Sequence, residues 1–212
     1  LVSFSFGLIV AGSRLIIGGR TFWAVIVGAC AGLMYATKET CLISFGAAAL
    51  AFLGVLLLRR REGRSAFQMS ARNIVVALFC AVAVSVMFFS SFFTHWQGVA
   101  DSVLAYQTYV GRAGESALHG HPWYYFLQLL TWSKGDHGPL WTESAIIVFG
   151  LLGIWSALRE KAGSEHGGRD LRIFLGLYAI LMFVISSAIP YKTPWSILSA
   201  LQPLIIMAGC GL

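Results

Sequence analysis

The position of the charged residues relative to the apolar runs most constrains what this chain can fold into. Residues 21–58 contain no charged residue except Lys38 and Glu39, and five charged residues follow within positions 59–64. A helix that crosses the hydrocarbon core of a bilayer needs about 20 predominantly apolar residues. Apolar runs of this length that alternate with short charged segments predict a membrane protein with several spans.

The composition excludes a water-soluble fold. Of the 212 residues, 58% are hydrophobic and 11% are charged, whereas a typical soluble domain has about 25% charged residues. A net charge of +6 would indicate nucleic-acid binding in a soluble protein. Here the basic residues lie in the breaks between apolar runs, where they set topology and contact anionic lipid. We therefore expect membrane lipid, and no nucleic acid, as a partner.

Seven apolar segments are predicted to be the spans of an all-α, polytopic transmembrane helical bundle. They are residues 1–12, 21–37, 40–58, 73–93, 140–158, 173–189 and 195–212. Their continuous apolarity excludes the alternating pattern of a membrane β-barrel. Because the chain begins without Met and the first segment resembles the tail of a span, we expect residues 1–212 to be a single membrane-domain fragment that lacks the N-terminal part of a longer protein.

Basic residues crowd into every second loop. Of the 15 lysines and arginines, 11 lie between spans one and two, three and four, or five and six, and the other four are Lys38, Arg112, Lys134 and Lys192. Basic loops stay in the cytoplasm, so these loops are predicted to be cytoplasmic in a protein of the plasma membrane. The outward loops are then residues 37–40, the long loop 94–139 and residues 190–195, and we expect the chemistry there.

Two lysines stand out on the outward side. Lys38 and its neighbour Glu39 are either a solvated turn or a cation at headgroup depth, where a compact ammonium suits a phosphate. Lys192 lies between Pro190 and Pro194, which stiffen its turn. It is either part of a simple connecting loop or a second phosphate contact. Because Lys38 and Lys192 lie on the same side, the two together favour a phosphate contact more than either lysine does alone.

The outward loop 94–139 is rich in aromatic residues and is predicted to contain two juxtamembrane helices. One covers residues 101–109, and the other covers residues 123–132 after Pro122, which suits a first helical turn. The aromatic side chains fit either an interfacial belt or a platform that faces sugar or lipid, and the sequence alone does not separate these. The candidate substrate-pocket residues are Glu39, His121, Trp123, Tyr124, Tyr191 and Trp195.

A metal site is the weaker hypothesis for the same loop. His119 and His121 form an HxH pattern, and Asp136, His137 and Glu143 lie downstream. These ligand types suit zinc or a harder divalent ion, but the pattern is short and its spacing is not diagnostic. We assign no metal site and no cofactor, and a divalent metal is compatible with the sequence without being required. The sequence contains no phosphate-binding, hydrolase or dinucleotide motif.

Three segments resemble a family of membrane enzymes. Residues 32–40, with Lys38 in the turn, resemble a turn of the GT-C glycosyltransferases of the dolichyl-phosphate-mannose–protein mannosyltransferase type. Residues 121–125 and 191–195 are similar to segments of the archaeal and bacterial branch called flippase-activity-associated proteins. The resemblance extends from about Gly28 to the end of the chain, and the three segments occur in the family's order.

The resemblance implies many transmembrane helices, a polyprenyl-phosphate-linked sugar donor and glycosyl transfer at the outer face. The catalytic carboxylate of such enzymes lies in the first outward loop, which we expect upstream of this chain, so no catalytic residue is assigned. Lys38 carries over as the lysine that meets the lipid phosphate, although Glu39 stands where many relatives have glycine. On this basis we predict that Lys38 and Lys192 both bind the lipid phosphate and face a common cavity. The implied reaction is an inverting displacement, in which a carboxylate accepts the acceptor's proton and cations stabilise the departing phosphate.

Two alternatives to a glycosyltransferase stay open. One is a non-catalytic component that assists the flipping of lipid-linked sugars. An outward carboxylate upstream of Leu1, soon after the first span of the longer protein, would favour the enzyme over it. The other is a solute transporter, for which inverted repeats and proline-broken spans are expected. We find no convincing repeat, and we place the prolines in loops, so we rank the transporter last.

Overall fold

The computed structural model describes residues 1–113, 120–134, 140–160 and 168–211. Over these residues the chain is almost entirely helical, which confirms the all-α class. The elements are α1 (Val2–Gly18), α2 (Thr21–Thr37), α3 (Cys41–Arg61), α4 (Ala71–Phe89), α5 (Gln97–Ala113), α6 (Tyr125–Thr131), β1 (Ser133–Lys134), β2 (Leu140–Trp141), α7 (Ser144–Arg159), α8 (Gly168–Ala188), the 3-10 helix Pro194–Ile197 and α9 (Leu198–Gly211).

Four helical segments in the described part of the chain are long and apolar enough to cross a membrane. They are α3, α4, α8 and the segment Pro194–Gly211, which joins the 3-10 helix to α9. Helices α1, α2 and α7 are also apolar, but they have 17, 17 and 16 residues. At a rise of 1.5 Å per residue they are about 24–26 Å long, less than the roughly 30 Å of a hydrocarbon core.

The two helices predicted in the outward loop are present. Helix α5 (Gln97–Ala113) contains the predicted residues 101–109 and is longer at both ends. Helix α6 (Tyr125–Thr131) begins two residues later than predicted, because Pro122 opens a turn in which the Tyr125 amide donates to the Pro122 carbonyl at 3.0 Å. Sequence pattern therefore located both helices, while hydrogen bonding in the turn fixed the start of α6.

Two predictions made from apolarity are wrong. The fifth segment was predicted to be helical from residue 140, but Leu140–Trp141 form strand β2, which pairs antiparallel with Ser133–Lys134. Pro203 lies inside helix α9, where we had placed every proline in a loop. A proline within a helix has no amide hydrogen to donate to the preceding turn. An apolar helix interrupted by proline is therefore present, and the absence of such helices no longer counts against a transporter.

The chain divides into two compact units. Unit 1 comprises Leu1–Phe45 and Ser65–Gly111, and unit 2 comprises Gly46–Arg64 and Arg112–Leu212. Helix α3 begins in unit 1 and continues into unit 2. Each unit contains its own helix–helix packing and is described by itself.

Unit 1 is organised by a close approach of α2 and α4. A Cβ atom at Gly28 would clash with the carbonyl of Ala77, and one at Gly32 would lie 2.6 Å from the carbonyl oxygen of Ala81. The four small residues form two small-xxx-small patterns, which let helix backbones approach in membranes.

At one end of the α2–α4 pair, the Asn73 side-chain amide donates to the Gly19 carbonyl at 2.9 Å, and its oxygen accepts from the Thr21 hydroxyl at 3.0 Å. Asn73 thereby joins the ends of α1, α2 and α4.

Unit 2 is organised by α7, α8 and α9. A Cβ atom at Gly153 would clash with the Met207 carbonyl, and one at Gly150 would lie 2.5 Å from the Leu204 side chain, so α7 and α9 pack backbone to backbone. Helix α8 contributes Tyr178, the largest fully buried side chain among the residues that the structure describes.

Charged side chains of unit 2 join the end of α3 to the start of α8. Asp170 accepts hydrogen bonds from Arg59 at 2.5 Å and from Arg64 at 2.8 Å, and Arg169 donates to Glu62 at 2.8 Å. Arg169 and Asp170 are buried. The Arg169 hydrogen bond lowers the pKa of Glu62, so this carboxylate stays charged. We call these five residues the ion cluster, and within it each arginine has a carboxylate partner.

Candidate functional site

Lys38 lies in the tight turn between α2 and α3. Helix α2 ends at Thr37 and α3 begins at Cys41, whose amide donates to the Lys38 carbonyl at 3.0 Å. The Lys38 side chain is half-buried, and its ammonium makes no ion pair or hydrogen bond with any residue that the structure describes. A fixed backbone therefore presents a cation without a protein partner in the described part of the chain.

Helix α5 supports this turn through Tyr106. The Tyr106 hydroxyl donates a long hydrogen bond of 3.5 Å to the Glu39 carbonyl and lies 3.9 Å from Cys41 Sγ. The ring of Tyr35 stacks on that of Tyr106, with 6.1 Å between centroids, and its hydroxyl donates to the Ser102 carbonyl at 3.5 Å. Burial, together with the neighbouring Cys41, raises the pKa of Tyr106, so the phenol stays protonated and can donate.

Tyr35 and Tyr106 were not among the residues that the sequence analysis selected. Tyr106 is 67 residues from Glu39 along the chain, and no local pattern links the two. An available signal was that Tyr106 lies within the predicted juxtamembrane helix of residues 101–109, because such a helix packs one face against a neighbouring element.

The second lysine lies in unit 2, where two distant segments meet. Gly120 and Tyr191 form an isolated antiparallel bridge, and the His121 amide donates to the Pro190 carbonyl at 3.3 Å. Thr193, directly before Pro194, has the extended backbone expected before a proline, and Pro194 begins the 3-10 helix. The segments 121–125 and 191–195, which the sequence analysis singled out independently, therefore share one small structural site.

Lys192 is the centre of this site and is only 2% exposed. Its ammonium donates to the Ile189 carbonyl at 2.5 Å and to the His121 carbonyl at 3.2 Å. It forms no ion pair with a described residue, and burial lowers the pKa of Lys192. An ammonium has three N–H donors, so two are used by backbone and one is available to a further acceptor. Lys192 thus joins the two segments and carries a charge whose burial an anion would stabilise.

The aromatic candidates around Lys192 differ in exposure. The imidazole of His121 stacks on Tyr125, with 4.1 Å between ring centroids. Trp123 and Trp195 are 71% and 60% exposed. Tyr124 and Tyr191 are also exposed. The structure brings the segments of His121 and Tyr191 together through their backbones, and the Lys192 ammonium donates to the His121 carbonyl. The two tryptophan rings and Tyr124 lie on the surface, where both an interfacial belt and a ligand platform are compatible with them.

The predicted residues are distributed over both units. Lys38 and Glu39 belong to unit 1, and His121, Trp123, Tyr124, Tyr191, Lys192 and Trp195 belong to unit 2. The common cavity for Lys38 and Lys192 stays a prediction from the sequence. Within each unit, the lysine turn is held by contacts from residues at least 65 positions away.

The structure describes two of the five residues of the metal hypothesis, His121 and Glu143. His119, Asp136 and His137 lie outside the described residues. Among the residues that are described, no three histidine, cysteine, aspartate or glutamate side chains lie close enough to hold a metal ion. His121 contacts Tyr125, and the Glu143 amide donates to the Leu130 carbonyl at 2.7 Å at the start of α7.

Comparison with known proteins adds no relative. The chain matches no protein-family model, no curated protein and no solved structure. The resemblance of residues 32–40, 121–125 and 191–195 to GT-C transferases is therefore an expectation from the sequence. A functional proposal rests on that resemblance together with the geometry around the two lysines.

Proposed function

We propose that this chain is part of a membrane glycosyltransferase of the GT-C type. Its donor is a polyprenyl-phosphate-linked sugar, bound at the outer face of the plasma membrane, with Lys38 and Lys192 contacting the lipid phosphate. The seven apolar helices cross the membrane, the three shorter ones in locally thinned bilayer, and the basic loops face the cytoplasm. A non-catalytic role in flipping the same lipid-linked sugar is the alternative, and the experiment below separates the two.

The observation that carries the proposal is the contact between residues 121–125 and 190–195 around the buried Lys192 ammonium. Two segments that resemble the same family in sequence are about 70 positions apart, and the chain places them side by side. A buried cation with no described carboxylate partner is costly, and an anionic ligand offsets that cost. Phosphate chemistry therefore fits this site better than a neutral substrate does.

Lys38 fits the same chemistry in a different way. Its ammonium is half-exposed and has no described protein partner, while Tyr106 holds the turn beside it through the Glu39 carbonyl. In glycosyl transfer from a lipid phosphate, negative charge grows on the leaving phosphate as the sugar–oxygen bond breaks. A cation held at that phosphate stabilises the transition state more than the ground state.

The exposed aromatic side chains of Trp123 and Trp195 suit contact with a sugar ring or an acyl chain.

The position of the basic residues within each unit supports the assigned sides. In unit 1, Arg20 precedes α2 and Lys38 follows it, so a basic loop and an outward turn lie at opposite ends of one helix. In unit 2, the ion cluster lies where α8 begins, and Lys192 follows where α8 has ended. The basic end and the lysine turn are therefore opposite each other in both units, as alternating spans require.

The test is sugar transfer by the full-length protein in proteoliposomes that contain a polyprenyl-phosphate-linked sugar. We expect Lys38→Ala to lower the transfer rate about 10²-fold, because removing one preorganised charge from a transition state costs about 3 kcal/mol. Lys38→Arg retains the charge and should retain part of the rate. Arg61→Ala, which removes an exposed cation outside the lysine turns, is the matched control and should transfer at the wild-type rate.

The same vesicles distinguish the two functions. Transfer product and movement of the labelled lipid across the bilayer are measured in parallel. Movement without any transfer by the wild-type protein would replace the enzyme with the flipping role. Unchanged transfer by Lys38→Ala would remove Lys38 from the site and contradict the proposal.

A further inference from the structure

Unit 1 contains a cavity at the end opposite Lys38. It has a volume of about 350 Å³ and is lined by Leu15, Gly19, Gln68, Met69, Ser70 and Asn73. The lining comes from the end of α1, the segment before α4 and the first turn of α4. A cavity of this size is within the range of small-ligand sites.

The lining carries polar groups that are available to a ligand. The side chains of Gln68 and Ser70 are exposed and form no hydrogen bond with a residue that the structure describes. Asn73 is 3% exposed, and its amide gives one N–H to the Gly19 carbonyl. An asparagine amide has two N–H donors, so one is left for a further acceptor. Three side chains of the lining can thus donate hydrogen bonds.

Three arginines directly flank the lining residues. Arg14 precedes Leu15, Arg20 follows Gly19, and Arg72 precedes Asn73, so each is one Cα step, about 3.8 Å, from a residue of the cavity wall. All three are exposed, and none forms an ion pair with a described residue. Three positively charged residues therefore adjoin the cavity wall along the chain.

Unit 1 supplies no carboxylate to neutralise these charges. Its acidic residues are Glu39 and Asp101. Glu39 follows the far end of α2, and Asp101 lies in α5, which contacts the Glu39 turn through Tyr106. The ion cluster of unit 2 is the opposite case, since its arginines are paired with Glu62 and Asp170. Arg14, Arg20 and Arg72 have no such partner among the described residues, so their charges are open to an external anion.

We infer that this cavity binds a phosphate-bearing anion, such as the headgroup of an anionic phospholipid. The arginines that adjoin the cavity wall supply charge, and Gln68, Ser70 and Asn73 supply hydrogen bonds to the phosphate oxygens. Each basic residue near an anionic lipid surface strengthens binding about fivefold. Three of them give a preference of about 10²-fold for an anionic over a zwitterionic headgroup. This site is independent of the lysine turns and of the proposed transfer reaction.

The experiment measures binding of fluorescent phosphatidylglycerol and phosphatidylcholine to the full chain in neutral detergent. We expect the wild type to prefer phosphatidylglycerol about 10²-fold, and the triple variant Arg14→Gln, Arg20→Gln, Arg72→Gln to bind both lipids equally. Arg61→Gln removes one exposed arginine that is not next to the lining and should keep the preference. Inorganic phosphate in large excess should displace the lipid if free phosphate is the ligand, and should not if the acyl chains contribute to binding.

A second variant keeps the inference testable if the triple variant does not fold. Ser70→Asp places a carboxylate in the cavity wall, and aspartate caps a helix as well as serine does, so α4 should be retained. We expect it to lower phosphatidylglycerol binding at least fivefold and to leave phosphatidylcholine binding unchanged. Equal binding of the two lipids by the wild type, or a preference that survives in Ser70→Asp and in the triple variant, would overturn the inference.

Discussion

The two lysine turns look alike in sequence and differ in the structure. Both follow an apolar helix, and both carry one lysine in the turn that leads to the next helix. Lys38 is half-exposed without a described partner, whereas Lys192 is 2% exposed and donates to two backbone carbonyls. The first turn is held by the neighbouring Tyr106, and the second is held by the lysine itself. A lysine that is free to bind a ligand and a lysine that also maintains its own site should respond differently to mutation.

The largest difference is expected in stability. Lys192→Met removes the ammonium that donates to the His121 and Ile189 carbonyls. Two hydrogen bonds of about 0.5–1.5 kcal/mol each make the expected loss about 1–3 kcal/mol in the free energy of unfolding. Lys38→Met removes no hydrogen bond to a described residue, and a surface change of this kind stays within about 0.5 kcal/mol. Unfolding of both variants in detergent micelles measures the difference. Equal destabilisation by the two substitutions would contradict the distinction between the turns.

A smaller effect is expected from Tyr106→Phe. The substitution keeps the ring stacked on Tyr35 and removes only the hydroxyl that contacts the Glu39 carbonyl and Cys41. Because these contacts are long, the loss in stability should be about 0.5 kcal/mol, at the low end for a hydrogen bond. If the phenol positions Lys38, Tyr106→Phe lowers the transfer rate. The double variant Tyr106→Phe, Lys38→Ala then loses less activity than the two single losses combined. Full additivity of the two substitutions would show that Tyr106 does not act through Lys38.

The smallest effect is a dependence of stability on alkaline pH. Burial lowers the pKa of Lys192 in the folded protein below its unfolded value of about 10.4. The unfolded chain therefore binds more protons between the two pKa values, and the wild type should gain stability as the pH rises through that window. Lys192→Met should lack this gain. The check is the difference in unfolding free energy between wild type and variant from neutral pH upward; a flat difference would show that Lys192 is not destabilised by burial.

Much of the fold follows from the sequence because apolar runs and charges mark helix ends. Helix α2 begins and ends at the predicted residues, since Arg20 and Lys38 interrupt the apolar run on both sides. Strand β2 was missed because hydropathy does not report whether the backbone pairs with Ser133–Lys134. The close packing of α2 on α4 was readable from Gly28 and Gly32, whose spacing is that of a small-residue packing pattern, although the prediction did not use it.

The candidate site was predictable only in part. The sequence identified both lysine turns, because charges and prolines are rare in such an apolar chain. It could not place Lys192 beneath the His121 carbonyl, since that contact joins residues 71 positions apart. The role of Tyr106 is hidden for the same reason. Long-range contacts decide whether a cation is available to a ligand or already used by the fold, and residue spacing does not record them.

The most direct measurement of the central claim is affinity for the lipid phosphate itself. Binding of polyprenyl phosphate is compared with binding of the matching polyprenol in wild type, Lys38→Gln and the control Arg61→Gln. A preserved charge-assisted contact is worth about 1.5–3 kcal/mol, so we predict that the wild type and the control prefer the phosphate at least tenfold and that Lys38→Gln loses most of this preference. An undiminished preference for the phosphate in Lys38→Gln would contradict the account.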